Sequence, residues 1–167
     1  TIQLSGVLSL VKVIVTIMGN NVKADIAFVN LGTVQIEGLM SEQGEFGVAV
    51  PQLCSLFNIL QKNASRDIKR ILGEDLHIVK WFTTFRKNYT NVLLLPDVER
   101  LVFELALRQN VEAIDLSRCL IGLSLQQLFS DAFDIEFEKE HRQKWLKARL
   151  AGIVVRRTLT DAIKDYL

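Results

Sequence analysis

The chain has 167 residues, 49% hydrophobic and 23% charged, which excludes intrinsic disorder and allows one domain with an appendage. Its formal charge of +1 conceals two cationic blocks. Its two cysteines, Cys54 and Cys119, stand far apart in apolar runs with no Cys/His cluster, which excludes a structural zinc site and suggests buried thiols in a reducing, cytoplasmic compartment.

Thr1 to Met18 is apolar, but Lys12 interrupts it and Ser5, Gly6, Ser9 and Thr16 dilute it. That is too short and broken for a membrane span, and it lacks a signal-peptide cleavage pattern. Residues 1–21 are therefore expected as an N-terminal extension or edge strand, with Val11 to Ile17 extended; Met18 as the natural start is the other reading. The missing initial Met and the helical pattern from Thr160 to Leu167 suggest a piece of a longer protein.

From Ile26 the pattern is that of short strands. Ile26–Asn30 and Thr33–Leu39 flank Leu31-Gly32 as a hairpin, and a turn at Ser41–Gly44 leads into a strand from Glu45 to Val50. These form a small N-terminal antiparallel β-sheet. The period then changes. Pro51 suits the first turn of a short helix ending at Phe57. After a turn at Asn58–Gln61, a second helix is expected from Asn63 to Leu72, capped by Gly73. Val79 to Leu95 reads as a hairpin with a basic turn at Arg86-Lys87-Asn88. Within it, alternation favours Phe82 in the core and Trp81 toward solvent or an interface.

Pro96-Asp97 starts an amphipathic helix whose Val98, Leu101, Val102 and Leu105 recur at helical spacing. A helix from Val111 to about Phe129 follows, its apolar face assigned to Ile114, Leu120, Leu123 and Leu128. Glu136 to about Ala151 is a third, interrupted at Gly152, and Asp161 to Leu167 begins a last one. The fold class is α+β: the small antiparallel sheet, a winged helix-turn-helix and a helical C-terminal part. Residues 22–133 would form the DNA-binding domain, and 134–167 a basic helical segment leading toward a second module.

Charge gives this order a function. Residues 61–90 hold seven cations against three anions, and 139–157 hold seven against one, around an acidic middle. Helix, turn, helix, hairpin is the order of a winged helix-turn-helix. In the second helix Ala64, Ile68, Ile71 and Leu72 can face the core. That leaves Asn63, Ser65, Arg66, Lys69 and Arg70 to address a DNA groove, since Arg and Asn can pair with base edges while Ser and Lys serve phosphates. Lys62, Lys80, Arg86 and Lys87 would hold the phosphate backbone.

The run Val48–Phe57, then Ala64–Gly73, then Asn91–Leu101 resembles phage antirepressor and regulator domains of the BRO-N, KilA-N and Rha type, in order and spacing more than in identity, over roughly Val34 to Leu128. The resemblance implies a non-catalytic transcriptional regulator of a phage or mobile element with double-stranded DNA as partner. It implies no catalytic residue, metal or cofactor and no membrane association; a homodimer is compatible with it.

Two alternatives stand beside it. Asp131, Asp134, Glu136, Glu138 and Glu140 could in principle serve a metal-dependent nuclease, though no acid-x-lysine strand accompanies them, and acidic residues also suit the start of a helix that is basic further on. The helices from Pro96 to Phe129 could instead make a protein-interaction or dimerisation surface. His77 and His141 are expected as ordinary surface or half-buried histidines. Phosphate-loop glycine motifs are absent. The basic half of the helix around Lys144, Lys147 and Arg149 is a second candidate for phosphate contact, although that helix could equally pack on the body or form a dimer arm.

Overall fold

Apolar and β-branched residues recur in short runs through the first half of the chain, and in a computed structural model these runs become strands of one sheet. The structure describes residues 22–32 and 34–166; the strand expected at Val11–Ile17 lies outside them. Three strands, β1 (Lys23–Asn30), β2 (Gln35–Ser41) and β3 (Phe46–Ala49), are followed by α1 (Val50–Phe57) and a 3-10 turn at Gln61–Asn63. Then come α2 (Ala64–Leu72), β4 (Val79–Thr83), β5 (Asn88–Leu94), α3 (Leu95–Leu107), α4 (Val111–Ala132) and α5 (Lys139–Tyr166). The protein is thus α+β, with a small sheet first and helices after it, as the change of period implies.

The sheet itself corrects one expectation. The N-terminal strands and the later hairpin do not form separate units; they close into a barrel in the order β1-β2-β3-β5-β4. The β3–β5 and β4–β5 pairs are antiparallel, but β1 meets β4 in parallel, with Lys23 opposite Phe82 and Ala24 opposite Thr83. There the Phe82 N–H donates to the Val22 carbonyl (2.8 Å) and the Thr84 N–H to that of Ala24 (3.3 Å).

Trp81 is the second correction. It is 3% exposed and fills the barrel with Ala24, Leu39 and Val92, while Phe82 lies on the other side of the strand. Alternation in a strand has two phases, and here the larger ring takes the interior because Gly47 makes room. A Cβ at Gly47 would stand 2.5 Å from Val92 Cγ1 and 3.3 Å from the Trp81 ring. Phe82 packs edge-on against its cross-strand neighbour Tyr89, with ring centroids 5.2 Å apart.

α1 buries Leu53, Cys54 and Phe57. It ends at Asn58 in the left-handed conformation (φ 58°), where the Ile59 N–H closes on the Cys54 carbonyl at 2.9 Å. α2 buries Ala64, Ile68 and Leu72, one face at a spacing of four, with Ile71 half-buried. Gly73 caps it as expected: its φ is +119°, and its N–H donates to the Lys69 carbonyl at 2.7 Å.

The described chain forms two compact units. One holds residues through Ala27, 37–55 and 59–98, with the barrel core and α2; the other holds 28–36, 56–58 and the chain from Glu99 onward. In the second unit α3 buries Leu101 and Leu105. Asn110 then caps α4, its Oδ1 accepting from the Ala113 N–H (3.0 Å) while its Nδ2 donates to the Phe57 carbonyl (2.9 Å). α4 packs on α5 through Cys119, Leu146, Leu150 and Ile153, flanked by Leu123 and Trp145. An ion pair between Asp115 and Arg157 joins the same two helices.

Two helical expectations also change. α4 buries Ala113, Leu116 and Cys119, and Leu128 is 63% exposed, because five residues beyond the half-buried Leu123 the helix has turned well away from the core. α5 runs unbroken through Gly152. An isolated glycine costs about 1 kcal/mol relative to Ala in a helix interior, too little to end a helix otherwise held by packing.

Candidate nucleic-acid interface

The inward face of α2 is fixed by Ala64, Ile68 and Leu72, so the rest of its circumference follows from helical geometry. Asn63, Arg66 and Arg70 are exposed or lie at the outer margin, and Ser65 and Lys69 border the same face. Lys62 is exposed in the 3-10 turn just before the helix. Six of the nine residues expected to contact DNA thus form one cationic and polar surface on a single stretch of chain.

Ion pairs divide these cations. Arg70 Nη2 lies 3.0 Å from Asp67 Oδ1, one turn back on the same helix. Arg86 pairs with Glu37 of β2. Among the described residues Lys62, Lys69, Lys80 and Lys87 make no ion pair. Arg66 reaches the Asn63 side chain, whose amide oxygen accepts from Arg66 Nη2 at 3.2 Å in the orientation that satisfies both groups. A partner anion would therefore meet Lys62, Arg66, Lys69, Lys80 and Lys87 without displacing a carboxylate, whereas Arg70 and Arg86 must first release one.

Lys80 meets this surface in a groove of about 280 Å³ lined by Gln61, Ala64 and Ser65 at the start of α2, Val50, Pro51 and Cys54 of α1, and Lys80, Tyr89, Thr90 and Asn91 of the hairpin. Of the nine residues, Ser65 and Lys80 are brought together here. Lys80 is paired with Asn91 in register and points outward, as does Phe82 opposite Tyr89. Sequence reasoning misses Gln61, Tyr89, Thr90 and Asn91. For Tyr89 and Asn91 the signal is the hairpin register: once Lys80 and Phe82 face outward, their cross-strand partners Asn91 and Tyr89 must too.

Arg86 and Lys87 occupy the β4–β5 turn, where Lys87 adopts φ 52° and its N–H donates to the Thr83 carbonyl at 2.8 Å. Beside them Phe85 is the most exposed large apolar side chain among the described residues, at 84%. The Cys54 thiol in the groove wall is pushed above its ordinary pKa by burial, with the Asp67 carboxylate adding to the effect. Both effects favour the protonated thiol over the thiolate.

His77 and His141 are exposed. Among the described residues no three His, Cys, Asp or Glu side chains converge where they could hold a metal ion, and no helix is long and apolar enough to cross a membrane. In the second unit Lys144, Lys147 and Arg149 lie along α5. No protein-family model, curated protein or solved structure matches the chain.

Proposed function

We propose that the protein binds double-stranded DNA through the outer face of α2 and the adjoining hairpin, without catalysis, as a transcriptional regulator of the phage or mobile-element type. The observation that carries this reading is the run of Lys62, Asn63, Ser65, Arg66 and Lys69 on the non-core side of α2 and the turn before it, with Ser65 and the hairpin's Lys80 lining one groove. The order α1, turn, α2, β4–β5 suits a winged helix-turn-helix, with α2 as the recognition helix and the hairpin as the wing. In this reading Asn63, Arg66 and Arg70 read base edges, Ser65 and Lys69 border the groove, and Lys62, Lys80 and Lys87 hold phosphates. Arg86 contributes once it leaves Glu37.

The test is fluorescence anisotropy with a labelled mixed-sequence duplex, comparing the wild type with the double variant Arg66→Ala/Lys69→Ala. Both substitutions leave the helix core untouched, so the variant stays folded by circular dichroism. Its affinity should fall at least about tenfold, chiefly through the base contact that Arg66 loses, and the slope of log K against log salt should shrink by about 1, for the phosphate that Lys69 no longer neutralises. Equal binding by the two proteins would refute this reading head. A magnesium-containing reaction checks for strand cleavage, whose appearance would replace the regulator with a nuclease.

A further inference from the structure

A helix on a protein surface normally turns charged residues outward. α4 does not. From Cys119 to Ser130 it carries no charged residue on any face, although much of its circumference is exposed. Its exposed side holds Ile121, Leu125, Leu128 and Phe129, and Phe133 and Ile135 follow directly, all between 51% and 71% exposed. Ile114, Arg118, Ile121, Leu125, Leu128 and Ala132 recur at alternating spacings of four and three residues. That is the repeat of a coiled-coil seam, and it runs opposite the face that packs on α5.

We infer that this seam is a homodimer interface in which α4 packs antiparallel against α4 of a second copy. Area favours a partner of this kind. Ile121, Leu125 and Leu128 of the seam, with Phe129, Phe133 and Ile135 beside it, each offer on the order of 100 Å² of apolar surface, and together about 600 Å², at the upper end of what a monomer leaves exposed and near the ~800 Å² per partner of a standard interface. The seam is about 27 Å long at 1.5 Å per residue, enough for a two-fold contact of nearly three heptads.

Charge selects a second copy and its direction. Arg118 is the one charged residue within the seam, and Asp131 borders the seam's other end, where it already accepts from Gln127 Nε2 at 2.8 Å. Parallel pairing would set Arg118 against Arg118. Antiparallel pairing about a two-fold axis between Ile121 and Leu125 sets Ile121 against Leu125 and Ile114 against Ala132. It also sets Arg118 level with Leu128 of the other α4, one helical turn from Asp131, twice over by symmetry. The surface is thus complementary to itself. This inference does not rest on DNA binding, and its assay contains no DNA.

Analytical ultracentrifugation of the full chain at micromolar concentration tests it. The wild type should sediment at twice the mass of one chain. Ile121→Glu/Leu128→Glu, both at exposed helical positions, should sediment as a monomer with unchanged circular dichroism and melting. Arg118→Glu and Asp131→Arg should each weaken the dimer at least tenfold, and the two together should restore it, a rescue that general destabilisation would not produce. A monomeric wild type, whose seam would then serve a different partner, overturns the inference. So does a dimer indifferent to the double glutamate variant, or a charge swap without rescue.

Discussion

Trp81 and Phe82 show how much a single strand leaves undecided. The hairpin is legible from its β-branched and aromatic residues, but which alternate set faces inward depends on what stands across the barrel. Gly47 supplies that space, and nothing near Trp81 in the sequence announces it. Truncating Trp81 to Ala should cost about 3–5 kcal/mol by urea denaturation, the usual range for a buried aromatic. Phe82→Ala, which removes one half-exposed ring pair, should cost about 1 kcal/mol. Comparable losses would mean that the interior has been assigned to the wrong phase.

The cysteines make a second residue-scale case, and here the apolar runs around them correctly imply their burial. Burial raises both thiols above the ordinary value of 9.0; Asp67 adds to the shift at Cys54, and Arg149 opposes it at Cys119, where Sγ donates to the Leu146 carbonyl at 3.6 Å. Since the folded values are the higher ones, the unfolded chain loses its thiol protons first. The associated stability is therefore complete below about pH 9 and is lost as pH rises toward the folded values. Native protein at pH 8 should react with iodoacetamide far more slowly than urea-unfolded protein. Equal rates would show that the thiols are accessible.

Among the elements, α1, α2, Gly73 and the β4–β5 hairpin are legible because each has a local signature: a period, a proline, a glycine cap, a basic turn. Helix ends without glycine are harder. α3 gives way at Gln109 with φ 66° and α4 runs on to Ala132 before Asp134 takes φ 53°, neither being a residue that advertises a cap. Gly152 misleads in the opposite sense, since a glycine inside a helical pattern is tolerated when the flanking Leu150 and Ile153 are buried. A Cβ at Gly152 would meet nothing within 4 Å. Gly152→Ala should accordingly stabilise the protein by about 0.5–1 kcal/mol in thermal unfolding. Destabilisation would indicate a break in α5 at that position.

For the whole molecule, the α+β class follows from the change of period near Val50, but closure of the barrel does not. The β1–β4 pairing joins Ala24 to Thr83, and parallel pairing at such separation leaves no trace in either segment alone. The cationic surface is largely visible in the sequence because α2 is amphipathic, and its buried residues fix its outer face. What cannot be read there are the ion pair at Arg86 and the strand residues of the groove, which depend on neighbours brought from β2, α1 and β5.

The most direct measurement of the central claim is a titration of labelled duplex DNA with the wild-type chain across salt from about 50 to about 200 mM. Binding that weakens steeply with salt, by at least about a hundredfold over that range if some five cations meet phosphate, is the expected result. Affinity that is absent at the lowest salt, or that persists unchanged at the highest, would contradict a DNA-binding role for the α2 face.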